Sequence, residues 1–282
     1  MIKIKNGFLK NENEIRLVKF IGRYQYLSSK DVKYFFNDTA YYQKRITRLI
    51  KNNVLRRYNK YLVLGENGYN FLEMLNENTG RLKYNKNYVE RLKFISHIAA
   101  VYNNNQYITF YPSFEIKDKT AYTETSRKYI GTINTFGIKY LMYHISSEHS
   151  YKYISSIIYD IQKETKYKNI IILINDINRV KISDFSFGLN SVIFLKDDDE
   201  GLENLKYLQL INWNKVIFNL YGNRVYLSEY NFCDYTDNKN KYISTFDFID
   251  AEKINRINTF LINNSNKKIE IVSNENIKEI LR

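Results

Sequence analysis

The sequence predicts a mixed α/β (α+β) protein in which a small N-terminal module of helices and one hairpin precedes a larger α/β domain. Three observations predict it. Residues 14 to 64 read as two short amphipathic helices, a basic third helix and a basic hairpin. Beyond residue 105 the pattern changes to strand candidates interleaved with helix candidates. Charge is divided too: residues 1 to 83 hold 17 Lys and Arg against 7 Asp and Glu, net +10, while the other 199 hold 26 against 23, net +3.

Helix 1 is expected from about Glu14 to Tyr24, with Ile15, Val18, Phe20 and Ile21 on its apolar side. Ser28-Ser29 reads as the N-cap of helix 2, Lys30 to Phe36, and Asn37-Asp38-Thr39 as the turn after it. Helix 3 is expected from Ala40 to Lys51, and Asn52-Asn53 suits a left-handed helix terminus. At about 100° per residue, Tyr42, Ile46, Leu49 and Ile50 share one face of helix 3. Tyr41, Lys44, Arg48 and Lys51 share the other, with Arg45 and Thr47 on the flanks. In the hairpin, Leu55, Tyr61 and Val63 are expected to lie inward, while Arg56, Arg57 and Lys60 surround the tip Tyr58-Asn59.

That order of elements is a winged helix-turn-helix, whose third helix enters the major groove of duplex DNA and whose wing follows the backbone or minor groove. A merely solvated charged face would not need helix, turn and wing to agree. The residues expected to touch DNA are Ser29, Tyr41, Gln43, Lys44, Arg45, Thr47, Arg48 and Lys51. Arg56, Arg57 and Lys60 join them from the wing.

Gly65-Glu66-Asn67-Gly68 breaks the strand, and a further helix begins at Tyr69 to Leu75. Polar Asn76 to Lys86, with Gly80, is the candidate linker, so the domains are expected at 1–83 and 84–282. A joining helix spans 87–102, its apolar side formed by Val89, Leu92, Ile95, Ile98, Ala99 and Val101. Strands are then expected at Tyr107 to Tyr111, Tyr129 to Asn134, Ile138 to Ile145, Asn169 to Ile174, Ser191 to Leu195, Lys215 to Leu220 and Arg224 to Leu227. Tyr242 to Phe246 adds an edge. Helices are expected at Ser150 to Thr165, Asp198 to Ile211 and Ala251 to Ile262. The order points to partly parallel pairing, and the nearly all-apolar Asn169 to Ile174 reads as a central strand covered on both faces.

Composition narrows the function classes. The net charge of +13 favours a polyanionic partner. The single cysteine, Cys233, excludes an internal disulfide and a multi-cysteine zinc site and fits a reducing, cytoplasmic setting. No signal peptide is read at the start, and no apolar stretch approaches the ~20 residues of a membrane span. No phosphate-cradling glycine loop occurs. His144, Glu148 and His149 have no recognised metal-ligand spacing, and Asp197-Asp198-Asp199-Glu200 reads as an acidic helix N-terminus. No cofactor, metal or catalytic residue is assigned.

The stretch Ile15 to Leu75 resembles the replication-relaxation family of plasmid and mobile-element proteins. The resemblance is carried by Gly22-Arg23-Tyr24-Gln25-Tyr26-Leu27-Ser28, the helix Val32 to Phe36, and Arg45-Ile46-Thr47-Arg48-Leu49. Asn53-Val54-Leu55-Arg56-Arg57, Tyr61-Leu62-Val63-Leu64 and Gly68 complete it. It implies a protein acting in replication or relaxation of plasmid DNA. Some members resemble restriction endonucleases in their second domain, and Lys128 to Asn175 looks like a degenerate version of that fold. A nuclease of that kind needs carboxylates on adjacent strands to hold a divalent metal. Ile130-Gly131-Thr132-Ile133 and Ile138 to His144 contain none. The expectation is a sequence-specific duplex DNA-binding protein of a plasmid or phage without catalysis of its own. Its second domain would serve a homodimer or a partner protein, with no membrane contact. The alternatives are a metal-dependent nuclease or nicking enzyme, and a transcriptional regulator with a dimerisation or sensor domain.

Overall fold

The computed structural model describes residues 9–36, 42–77, 79, 85–117, 120–121, 126–205, 212–237 and 241–273, and combines helices with three sheets in a mixed α/β architecture. It divides into two units, Met1–Pro112 and Ser113–Arg282.

In the first unit, α1 (Glu12–Tyr24) starts at Asn11, whose side chain accepts from the Glu14 amide at 3.0 Å. The Glu14 carboxylate is buried, accepts from the Lys10 amide at 2.8 Å and pairs with Arg48. Leu17, Val18 and Ile21 are fully buried along the helix. A left-handed Gln25 (φ +69°) ends it, donating its amide to Ile21 at 2.8 Å. After β1 (Leu27–Ser28), the expected second helix is a five-residue 3₁₀ turn, Asp31–Phe35. It has no side-chain cap, because the Ser28 hydroxyl serves only the Lys30 amide at 3.3 Å. The tighter 3₁₀ form is common in short connecting pieces of this kind.

The basic helix α2 (Tyr42–Lys51) leads through left-handed Asn53 (φ +51°) to β2 (Leu55–Tyr58) and β3 (Tyr61–Leu64). The sheet runs β1-β3-β2, antiparallel throughout. The expected alternation fails in β3, where Leu62, Val63 and Leu64 are all buried. β3 is the central strand with α1 packed on it, and α4 (Lys86–Val101) packs on neighbouring β1, so both faces are covered. At α3 (Glu66–Met74) the chain passes very close to the turn after α2. A Cβ on Gly65 would stand 2.2 Å from the Asn53 carbonyl oxygen, and one on Gly68 2.3 Å from that of Val54.

The helix expected to join two domains belongs to the first. Asn85 caps α4, and Leu92, Ile95, Ser96, Ile98 and Ala100 are buried beneath it. The Ser96 hydroxyl donates to the Tyr26 carbonyl, and His97 Nδ1 lies 3.1 Å from the buried Asp31 carboxylate. The division falls after Pro112 rather than at 83/84, since α4 packs on β1, on the 3₁₀ turn and on α1. β4 (Ile108–Pro112) closes the unit.

The second unit opens with α5 (Ser113–Ile116), followed by β5 (Gly131–Thr135) and β6 (Ile138–Ile145), an antiparallel pair. α6 (Tyr151–Gln162) crosses to β7 (Asn169–Ile174), parallel to β6, and β8 (Ser191–Lys196) lies parallel to β7. β12 (Ile249–Asp250) adds antiparallel to β8, giving the order β12-β8-β7-β6-β5. The core on one face joins Leu141, Tyr143 and Ile145 of β6 to Ile154, Ile157 and Ile161 of α6 and to Ile170, Ile172 and Ile174 of β7.

α7 (Asp199–Leu205) follows β8; the expected extension to Ile211 lies outside the described residues. The segment Lys215 to Leu220, expected as a strand, is instead part of α8 (Trp213–Tyr221). Its run Val216-Ile217-Phe218 imitates a strand, but Trp213, Ile217 and Tyr221 recur every four residues and pack on Tyr235, Ile243 and Val272. Those partners belong to another sheet, β13-β11-β10-β9, built from β9 (Tyr226–Leu227), β10 (Tyr235–Thr236), β11 (Lys241–Phe246) and β13 (Lys268–Ser273). β11, expected as an edge, lies inside it, because α9 (Ala251–Asn263) returns the chain to a parallel partner, β13.

The loop between β6 and α6 depends on a neutral imidazole. His149 Nδ1 accepts from the Ser146 amide at 3.0 Å, its ring stacks on Tyr153 with centroids 4.0 Å apart, and Arg179 donates to the Ser146 and His149 carbonyls. Burial, then His144, then Arg179 push its pKa from 6.5 down to about 4. The unfolded chain therefore takes up a proton that the folded chain refuses between those values, so stability falls as pH drops through this window. Denaturant midpoints measured from about pH 7 to about pH 4.5 should fall further for the natural chain than for His149→Asn, which has no proton to gain. Parallel curves would remove His149 as the cause.

Candidate nucleic-acid interface

Helix α2 sorts its side chains by phase. Ile46 and Leu49 are buried, whereas Gln43, Lys44, Thr47 and Lys51 are exposed. They form one stripe, since residues four apart stack on the same side of a helix. The Thr47 hydroxyl donates to the Gln43 carbonyl at 2.9 Å, which holds that side chain against the helix. Tyr41 lies outside the described residues.

Two arginines of this helix turn away from the stripe. Arg45 lies over the Phe36 ring, 5.4 Å from its centroid. Arg48, expected to face outward, pairs with Glu14 and keeps 26% of its side chain exposed. Residue 48 sits one helical step from the line Lys44–Thr47–Lys51, and its long stem reaches the start of α1, where a buried carboxylate awaits a cation. Phase alone put Arg48 outside. What it omitted was Glu14, although Asn11-Glu12-Asn13-Glu14 carries the spacing of a helix-start box.

The hairpin is more uniformly basic than alternation predicts. Arg56, Arg57, Tyr58, Asn59 and Lys60 are all exposed, because β2 is the edge strand. Tyr58 pairs with Tyr61 across a two-residue loop in which Asn59 takes φ +54°, a conformation asparagine tolerates. Arg56 Nε donates to Asn53 Oδ1 at 2.9 Å, so this guanidinium is oriented by the turn that follows α2. The Ser29 amide donates to the Lys60 carbonyl at 3.0 Å. Ser29 thus anchors the hairpin instead of capping a helix. The exposed stripe of α2 and this hairpin belong to the same unit.

The polar clusters of the second unit are of another kind. His144 Nε2 lies 3.0 Å from Asp197 Oδ2, and Asn175 Nδ2 lies 3.5 Å from Asp197 Oδ1. They gather at the carboxyl ends of β6, β7 and β8, where ligand sites of parallel sheets form. The His144 and His149 rings meet at 5.7 Å, but His149 is spent on its loop. Asp198 Oδ1 accepts from the Gly201 amide at 2.8 Å, as an acidic start to α7 requires. Among the described residues, no group of three or more His, Cys, Asp or Glu side chains is placed to hold a metal ion. Cys233 is buried, and burial raises its thiol to about 11, which makes it a poor nucleophile. Among the described residues, no helix is long and apolar enough to cross a membrane.

Arg48→Ala should lower the unfolding free energy by roughly 3 kcal/mol, the lower end for breaking a buried pair, since Arg48 retains some solvent access. Adding Glu14→Leu should recover part of that loss, because no buried carboxylate is then left alone. Urea denaturation reads both, and a single substitution without effect would show that the pair is not structural. No family model, curated protein or solved structure matches the chain.

Proposed function

We propose that the first unit is a winged helix-turn-helix that binds duplex DNA, with α2 in the major groove and the β2–β3 hairpin on the backbone. One observation carries this reading: Gln43, Lys44, Thr47 and Lys51 of α2 and Arg56, Arg57 and Lys60 of the hairpin are all exposed on one unit. The excess positive charge lies in the same part of the sequence. A helix stripe with hydrogen-bonding ends, flanked by a cationic hairpin, matches base edges lying between two rows of phosphates.

The resemblance to the replication-relaxation family favours a role at a plasmid or phage site, in replication, relaxation or transfer of DNA, or in their regulation. For the second unit, a role in assembly with a second copy or a partner protein is the better reading. Exposed Phe218 and Leu220 of α8 and Tyr226 and Leu227 of β9 support it. A degenerate restriction-endonuclease-like fold stays part of this proposal, with a parallel centre and carboxylate-free β5 and β6 in its favour. No cleavage is assigned to it.

The test is binding of the full chain to duplex DNA over a range of salt. Log K should fall linearly with log salt, by about 0.9 for each phosphate neutralised. Arg57→Ala should weaken binding to all sequences alike and reduce that slope by about one. Affinity indifferent to salt would refute a phosphate-bound wing.

A further inference from the structure

The arginine fork paired with guanine is the commonest specific contact in the major groove. Neither arginine of α2 is placed to make it. Arg45 rests on Phe36, and Arg48 is held by a buried carboxylate. The exposed stripe consists of Gln43, Lys44, Thr47 and Lys51. Lysines can also donate to guanine, but without arginine's planar fork; the stripe residues whose base complements lie on an A·T pair are Gln43 and Thr47.

Each has a distinct complement. A glutamine amide donates to N7-side and accepts from N6-side atoms of one base only, adenine, through a bidentate pair. Gln43 lies in the first turn of α2, the part of such a helix that meets base edges. No hydrogen bond engages its amide among the described residues, whereas its backbone carbonyl is taken by Thr47. With its proton committed to that carbonyl, the Thr47 hydroxyl no longer donates to a base, and the counterpart of its methyl is the 5-methyl of thymine. Four residues of helix span about 6 Å, so the two contacts fall within about two base-pair steps.

We infer that this protein selects an A·T-containing step, with Gln43 reading an adenine and Thr47 a thymine methyl, and that Arg48 reads no base. The inference rests on the DNA-binding reading above and makes Gln43 and Thr47 its specificity-determining residues.

Selection of bound duplexes from a random library with the full chain gives the preferred site. Gln43→Ala should reduce discrimination at one adenine by roughly 5- to 150-fold, a larger effect than on affinity for random duplex, and the salt slope should keep its value because no cation is removed. Replacing one thymine of the site by deoxyuridine should weaken binding by the natural chain. It should not weaken binding by Thr47→Ser, which keeps the hydroxyl bond and loses only the methyl. Arg48→Lys, which keeps the charge beside Glu14, should leave the preferred site unaltered. A preference that survives both Gln43→Ala and Thr47→Ser overturns the inference while the DNA-binding reading stands. So does a guanine preference lost in Arg48→Lys. Failure to bind any duplex at low salt overturns both.

Discussion

One buried carboxylate sets the orientation of the helix that carries the candidate interface. Glu14 is 1% exposed, and an uncompensated charge at that depth costs several kcal/mol. Two donors meet it, the Lys10 amide and the Arg48 guanidinium. The first lies just before α1 and the second in the last turn of α2, so the anion holds the roll of α2 against α1. Once that roll is held, with Ile46 and Leu49 turned inward, the outward set follows from helix geometry alone: Gln43, Lys44, Thr47 and Lys51. The same ion pair that stabilises the unit therefore withdraws an arginine from the surface and changes what the surface can recognise.

The hairpin depends on a second constraint, the covering of β3. Three consecutive buried residues, Leu62 to Leu64, are stable in a strand only if both faces are closed. α1 lies against β3 itself, and α4 packs over β1 beside it. With β3 so held, β2 remains at the edge and exposes Arg56 to Tyr58 in succession. An edge strand bearing consecutive cations is protected from pairing with other strands, and the same property suits the proposed contact with a phosphate backbone. Packing on the inside and charge on the outside are thus two consequences of one strand order.

How much of this was legible in the sequence depended on whether the signal was local. The strands Ile138–Ile145 and Asn169–Ile174 were read with their observed bounds, because a segment rich in apolar and aromatic residues between turn-forming residues needs no knowledge of its neighbours. Asn53 was read as a left-handed terminus for the same reason. Lys215 to Leu220 was misread as a strand because its β-branched run outweighed a four-residue repeat whose partners, Tyr235, Ile243 and Val272, come later in the chain. β13 was not foreseen, since Lys268 and Glu270 dilute its apolar pattern and its partner β11 is reached through α9. In the candidate interface the stripe of α2 was legible from periodicity, but the loss of Arg48 was not. It required knowing that a carboxylate 34 residues earlier is buried against the same helix.

The small sheet of the second unit has two unlike edges, and the difference bears on its proposed work. β13 carries Lys268 and Glu270 at one edge, with Glu270 paired to Lys241 of β11 across the ladder. Charge of this kind discourages another strand from adding there. β9, at the other edge, exposes Tyr226 at 55% and Leu227 at 76%, close in sequence to exposed Phe218 and Leu220 of α8. Isolated exposed apolar residues are ordinary, but four within ten positions, on an edge strand and the helix before it, are not scattered singly. The charge bookkeeping agrees: the second part of the chain carries only a slight positive excess, so attraction to a polyanion would be weak there. A surface rich in apolar groups and poor in net charge is better matched to protein than to DNA. Under the proposed function, this division would let one unit hold the nucleic acid while the other brings a second chain to the same site.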